Sequence, residues 1–599
     1  MSQTALSNLN IAARFIRLLP ATIRSGPTGR FTAGDLLEQA VQRRGDAPFI
    51  RFEDRVCSYA EINELANRVA HWALERGIGP GSVVGLLMEN RPEFPAIWLG
   101  LAKVGAVTAL LNTHLHGESL AHSLRAAGCS VLLLGSECSE AWASLAGDAP
   151  EVALFLVREH GAGEPPTIPG AQSLDTEIAG HSTDNPPRSV RAELRGADPL
   201  FYIYTSGTTG LPKAARLSHS RFMGGGIYAA LAGMHRDDVL YCPLPLYHTS
   251  GGVMCVNAVL RNGATLALAR HFSAHHFWDD VAQHGVTAFQ YIGELCRYLV
   301  NQPPHPLERS HSLRLAIGNG LRPDVWKTFQ ERFSVEQIVE FYGATESNAA
   351  MVNLVGRVGS VGKPFPGMKV ALVRFDTALG EVVRGSDGYC ESCSTGEPGE
   401  LLGYISEGRS AAGRFEGYTS REATEKKILR DVFEAGDAWF RTGDLLSKDA
   451  DGFYYFVDRV GDTFRWKGEN VSTQEVAEAM TAQSGVQLCA VYGVEVPGAD
   501  GRAGMAAVVL EPGAVLDGDA LFRGLESALP AYARPVFVRI QQAAELTGTF
   551  KLRKVELQKQ GYDLSASEDQ ILFRDDRQRI FRPLDTDAIA GIERGEIHI

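Results

Sequence analysis

Four short apolar runs, VVGLLM, VTALL, VLLLG and ALFLV, recur between residues 33 and 200. Stretches of helical periodicity such as AGDLLEQAVQRRG and YAEINELANRVAHWALERG alternate with them. A run that is apolar at every position is buried on both faces, a situation met in parallel sheets covered by helices. Parallel neighbours in turn need a long crossover, usually a helix. The pattern therefore predicts α/β architecture. A Pro/Gly-rich connection from Gly161 to Asp198 precedes a second alternating block that runs through YIGELCRYLV, LRLAIGNG and VEQIVEFYG. After about Gly362 the pattern changes to short strands and turns (MKVALVRF, GELLGYI, GFYYFV). Beyond Asp458 the helices QEVAEAMTAQ and DALFRGLESAL and the strands LCAVYGV, MAAVVL and VFVRI outline a compact α+β unit, of about 110 residues. The expected organisation is a basic amphipathic segment at 1–32, one large domain at 33–457, a small mobile α+β domain at 458–570, and a tail at 571–599 with no assigned role. The large domain should hold two doubly wound α/β sheets and a β-rich subdomain.

The chain has 599 residues, of which 45% are hydrophobic and 22% charged, with a net charge of −13. That balance is ordinary for a multidomain enzyme and argues against a nucleic-acid partner, which would call for a basic face. Nine scattered cysteines, an odd number, favour a reducing, cytoplasmic setting over a disulfide framework. Cys390 and Cys393 form one CxxC without a second pair to complete a zinc site. The first thirty residues contain Arg14, Arg17, Arg24 and Arg30 and no acid. This predicts a helix lying either on an anionic bilayer, at the inner face of a membrane, or on the protein's own surface. AIWLGLAKVGAVTALL is interrupted by Lys103 and falls short of a membrane span.

Tyr204–Lys213 reads YTSGTTGLPK. Glycines that free backbone N–H groups, several hydroxyls and a lysine suit a polyphosphate. It is no Walker loop, because Lys213 does not directly follow the second glycine and AARLSH continues as a strand rather than a helix.

This stretch resembles the phosphate loop of the adenylate-forming superfamily, whose members activate carboxylates with ATP. The resemblance implies nucleotide contacts from Thr205, Ser206, Gly207, Thr208, Thr209, Gly210 and Lys213. Further motifs follow in order between about residues 40 and 560. FYGATES is similar to the segment in which an aromatic ring stacks on adenine, a threonine meets phosphate and a carboxylate binds Mg²⁺, implying those roles for Tyr342, Thr345 and Glu346. IGNGLRPDVW implies an adenine wall of Gly318, Asn319 and Gly320, and WFRTGDLL implies Asp444 on the ribose hydroxyls. Arg459 in DRVGD resembles the arginine near ribose and phosphate, and Gly461 occupies the hinge position where Asp or Lys is common. LTGTFKLRK implies Lys551 as the lysine that bridges carboxylate and α-phosphate, although Phe550 replaces the usual preceding glycine.

PLPLYHTSGG is similar to the segment whose histidine borders the reacting carboxylate, so His248 is either that group or a packed core histidine. Gly251 and Gly252 are expected to leave room for an apolar tunnel. YIGELCRYLVNQPP and DRVGDTFRWKGENVST closely resemble stretches of the fatty acid transport proteins, the very-long-chain acyl-CoA synthetases. The resemblance implies a ligase that uses ATP, Mg²⁺ and CoA to turn a fatty acid into acyl-AMP and then a thioester. Transfer to a carrier protein, or fatty-acid uptake with little turnover, remain as alternatives.

Overall fold

The structure is a computed structural model. It describes all residues except 1–2, 146, 148, 162, 164–165, 206–210, 378, 407–412, 468, 498–500, 544–553, 595 and 598–599. The chain divides into two compact units. One comprises Met1–Lys369, Gly403–Leu429 and Ala438–Phe440, the other Val370–Leu402, Arg430–Asp437 and Arg441–Ile599.

The first unit contains two large sheets. In the seven-stranded sheet, Val131–Gly135, Val83–Leu87 and Val107–Leu110 lie parallel at the centre and are fully or almost fully buried. That explains why their runs show no alternation. Pro199–Thr205 extends this sheet in parallel, and Lys213–Ser218 turns back antiparallel beside it as an edge strand. In the nine-stranded sheet, the strands Gln337–Tyr342, Leu315–Asn319, Ala288–Ile292, Val239–Cys242, Thr265–Leu268 and Pro48–Phe52 are mutually parallel in that spatial order. The expected α/β class with two helix-covered sheets is therefore correct. The hairpin Pro48–Phe52/Arg55–Ser58 lies within the first alternating block in sequence yet joins the second sheet, pairing with Thr265–Leu268 more than two hundred residues away. Its sequence position gave no sign of that partner.

The amino-terminal helix is Gln3–Arg24. Its inner face packs on the first unit, where Arg14 donates to the Leu231 carbonyl at 2.8 Å and the Phe15 ring meets Phe365 edge-on. Of the two placements expected from the sequence, contact with the protein's own surface is thus realised for one face. Arg14 belongs to that inner face and not to a basic outer one. Ile16, Leu19 and Ile23 point outward, Ile23 remaining 75% exposed. Among the described residues no helix is long and apolar enough to cross a membrane.

In the second unit a five-stranded sheet runs Val486–Glu495, Arg502–Leu510, Phe537–Gln541, Gln570–Asp575 and Ile580–Pro583. Its core includes Phe464, Trp466, Met480, Phe537 and Phe573. The last two strands correct the expectation of a separate tail. Ile571, Leu572 and Phe573 are buried, and the charges that disguise the strand are paired, Arg574 with Asp576 at 2.8 Å and Arg582 with Asp575 at 2.9 Å.

Candidate active site

In the first unit, Thr205 ends its strand and stands opposite Lys213 across the antiparallel pair. The loop positions Ser206, Gly207, Thr208, Thr209 and Gly210 lie outside the described residues. The base of the loop is anchored, since Tyr204 donates its hydroxyl to the Ser123 carbonyl at 2.6 Å and His122 Nε2 lies 3.2 Å from the Pro212 carbonyl. At the carboxyl ends of the parallel strands in the nine-stranded sheet, where open α/β sheets bind ligands, Gly318–Asn319–Gly320 and Tyr342 sit on adjacent strands. Gly320 has φ of +76°, a left-handed turn that glycine tolerates best.

Thr345 and Glu346 follow directly. The Thr345 hydroxyl lies 2.7 Å from that of Thr249, which ties the FYGATES segment to the residue after His248. Tyr418 donates its hydroxyl to Glu346 Oε1 at 3.0 Å and also interacts with the Thr205 side chain. Burial, then the neighbouring Glu346 carboxylate, raise the Tyr418 pKa, so the phenol remains a donor. Thr205, Thr345, Glu346 and the His248 turn thus form one polar group joined through Tyr418 and Thr249, two residues that motif reading missed. Tyr418 carried a weak signal at best, a buried aromatic whose hydroxyl needs a partner. Asn348 holds this region to its own unit by donating to the Tyr404 and Gly413 carbonyls at 2.9 and 3.0 Å.

His248 is half-buried, with its ring 4.8 Å from that of Tyr247, and opens a π-helical turn, Thr249–Cys255. Turns of this kind are frequent at functional sites. Gly251 and Gly252 are buried within it, and a Cβ on Gly252 would run into the Leu246 carbonyl oxygen. These glycines allow close backbone packing rather than space for a tunnel, which corrects the sequence-based expectation.

In the second unit, the RTGD turn is built from its backbone outward. Arg441 forms a fork with Glu400, which is almost wholly buried, at 2.6–3.1 Å, and Thr442 donates to the Leu401 carbonyl at 2.8 Å. Gly443 adopts φ of +76°, and Asp444 then faces Arg459 across the hairpin, with Nε to Oδ1 at 3.8 Å. Asp458 is buried, and both of its oxygens accept hydrogen bonds: Oδ1 from the Arg459 amide and Thr473 hydroxyl, Oδ2 from the Thr473 amide and Thr463 hydroxyl. Burial nevertheless raises its pKa above the ordinary carboxylate value. Gly461, three residues on, has φ of +93° with open space where a Cβ would sit. Lys551 lies outside the described residues.

The sequence profile of the AMP-binding enzyme family matches residues 37–405, and that of the AMP-binding enzyme C-terminal domain matches residues 475–551. The chain belongs to the AMP-binding enzyme family. This AMP-binding enzyme is 41% identical over 584 residues to long-chain fatty acid transport protein 1 of Mus musculus, a match covering 95% of this chain and 89% of that one. It is 40% identical over 578 residues to the medium/long-chain-fatty-acid–CoA ligase FadD6 of Mycobacterium tuberculosis, covering 94% and 93%. Among solved structures, an anthranilate CoA ligase in complex with anthranoyl-AMP has a TM-score of 0.75 at 23% identity, covering 90% of this chain and 98% of its own. ATP-bound MatB from Rhodopseudomonas palustris has a TM-score of 0.72 at 24% identity, covering 89% and 99%. These two likenesses establish the shared fold.

Proposed function

We propose that this AMP-binding enzyme is a long- or very-long-chain fatty acid–CoA ligase. The fatty acid carboxylate attacks the α-phosphorus of MgATP and pyrophosphate leaves. The CoA sulfur then attacks the acyl carbon, AMP leaves, and the thiol proton passes to solvent. The observation that best supports the reading is the joining of Thr205, Thr345 and Glu346 with the His248 turn through Tyr418 and Thr249. A single carboxylate among hydroxyls suits Mg²⁺ carried in on a triphosphate, since that ion prefers hard oxygens and keeps several waters. No group of three or more His, Cys, Asp or Glu suited to a resident metal occurs among the described residues.

In this reading Ser206–Gly210 and Lys213 hold the phosphates, Tyr342 and Gly318–Gly320 border adenine, Asp444 and Arg459 hold ribose, and His248 borders the carboxylate. Lys551 neutralises charge that grows in the transition state, and Gly461 permits rotation of the small domain between the two steps. The outward face of helix Gln3–Arg24, with Ile16, Leu19 and Ile23 beside Arg17, rests against an anionic membrane surface, where such substrates partition.

Pyrophosphate release measured across fatty acids from short to very long, with and without CoA and with thioester quantified, tests the reading. Long acids should support release, CoA should convert the adenylate to acyl-CoA, and Lys551→Ala should stop release while ATP still binds. Release without thioester would favour a carrier protein as acceptor, and no release with any acid would refute the ligase reading.

A further inference from the structure

The YIGEL stretch, singled out in the sequence, takes no direct part in the reaction described above, yet it lies directly beneath the turn assigned to adenine. Tyr291, Gly318 and Glu340 occupy adjacent places on three neighbouring parallel strands, Tyr291 opposite Gly318 and Gly318 opposite Glu340. Tyr291 is completely buried and Glu340 almost so. The Tyr291 hydroxyl lies 2.5 Å from Glu340 Oε2 and 3.4 Å from the Val339 carbonyl. The other oxygen, Oε1, accepts the Leu321 amide at 3.1 Å, and the Gly320 amide also bonds to this carboxyl. One buried side chain therefore holds the two backbone N–H groups that close the Gly318–Asn319–Gly320 turn.

The neighbouring residues are cut to fit. A Cβ on Gly318 would strike the Tyr291 ring, and one on Gly293 would strike the Gly320 carbonyl. Tyr291 and Gly293, two residues of the YIGE sequence, thus pack directly against the turn. Burial pushes the Glu340 carboxyl up to about 8, so near neutral pH it is largely protonated and can donate to the Tyr291 oxygen while that hydroxyl donates to Val339. A buried polar network of this kind fixes a single geometry when all its members are satisfied.

We propose that Tyr291 and Glu340, with Gly293 packed against the turn, are positioning residues that set the conformation of the Gly318–Gly320 turn and thereby the affinity and base selectivity for the adenine nucleotide. This rests on the ligase reading only for the identity of the nucleotide. It assigns the YIGE sequence to nucleotide binding and not to recognition of the acyl chain.

The test compares Tyr291→Phe, Glu340→Gln and Glu340→Ala with wild type in steady-state turnover and in calorimetric titration with ATP and AMP. Expected are a roughly tenfold rise in KM for ATP and in Kd for AMP with Tyr291→Phe and Glu340→Ala, the loss of one or two buried hydrogen bonds. Selectivity for ATP over GTP should fall as well. Glu340→Gln, which retains an oxygen for the Leu321 amide, should recover part of the loss. KM for the fatty acid and preference for its chain length should stay unchanged.

Unchanged nucleotide constants, or a shift in acyl-chain preference with nucleotide constants intact, would overturn the proposal. So would equal changes in the constants of all substrates. Should Glu340→Ala not fold, Tyr291→Phe and Glu340→Gln decide the matter. A wild-type protein that binds AMP but releases no pyrophosphate with any acid would refute the ligase reading while leaving Kd for AMP to decide this one.

Discussion

Replacing Tyr418 by Phe removes one oxygen from the polar group around Glu346 and leaves the ring in place. In the wild type that hydroxyl donates to Glu346 Oε1 at 3.0 Å and also interacts with Thr205. Tyr418 is 5% exposed and its backbone bridges to Ala215, so the ring is held in the interior. A hydrogen bond to a charged acceptor contributes about 1.5–3 kcal/mol. Glu346 is only half-buried, so water can replace the phenol in part, which places the expected loss at the lower end. About 1.5 kcal/mol corresponds to roughly tenfold in rate or affinity. The loss should appear in kcat/KM for MgATP and as a higher Mg²⁺ concentration at half-maximal pyrophosphate release. KM for the fatty acid should remain within about twofold, and the melting temperature should fall only slightly, because the buried ring is kept. An unaltered Mg²⁺ dependence, or equal losses for MgATP and fatty acid, would refute the idea that Tyr418 orients the Glu346 carboxylate.

Gly252→Ala forces a methyl group onto the Leu246 carbonyl, and overpacking of this kind costs about 1–3 kcal/mol. The variant should melt at a lower temperature and lose activity through the His248 turn, whereas Gly224→Ala, with nothing within 4 Å of its new methyl, should do neither. Gly461→Ala places a side chain at φ of +93°, at a cost on the order of 1–2 kcal/mol. A single-turnover assay should show adenylate formation retained and thioester formation slowed, and equal slowing of both steps would count against a hinge. The raised pKa of Glu340, from 4.5 to about 8, means the native state holds a proton that the unfolded state releases between those values. The stability this carboxyl contributes is therefore present below about pH 4.5 and is lost as pH rises toward 8, on the order of 1 kcal/mol per pH unit. Glu340→Gln cannot ionise, so its melting temperature should gain on wild type between pH 5 and 8. Tyr291 and Cys296, the titratable neighbours, are both shifted upward and stay neutral over that range. A constant difference across the range would contradict the assignment.

Much of the molecule was legible in the chain itself. Continuous apolar runs alternating with helical stretches suit parallel sheets covered by helices, so the α/β class followed from local pattern, and YTSGTTGLPK, FYGATES and RTGD carried the resemblance to the family. Gly443 and Gly320 permit a left-handed φ by residue type alone, but what holds Gly320 there is a carboxyl on a neighbouring strand. What the tertiary structure decided was partnership. The hairpin Pro48–Phe52/Arg55–Ser58 found its neighbour in Thr265–Leu268, and Gln570–Asp575 entered the small unit's sheet with its charges paired, both choices made by contacts distant in sequence. Tyr418 meets Glu346 seventy-two residues away, and Glu340 takes its two amide partners from the end of a neighbouring strand. Gly251 and Gly252 looked like room for a ligand and proved to be room for the backbone, since a missing side chain reads the same whether the space it leaves is empty or filled by another part of the chain.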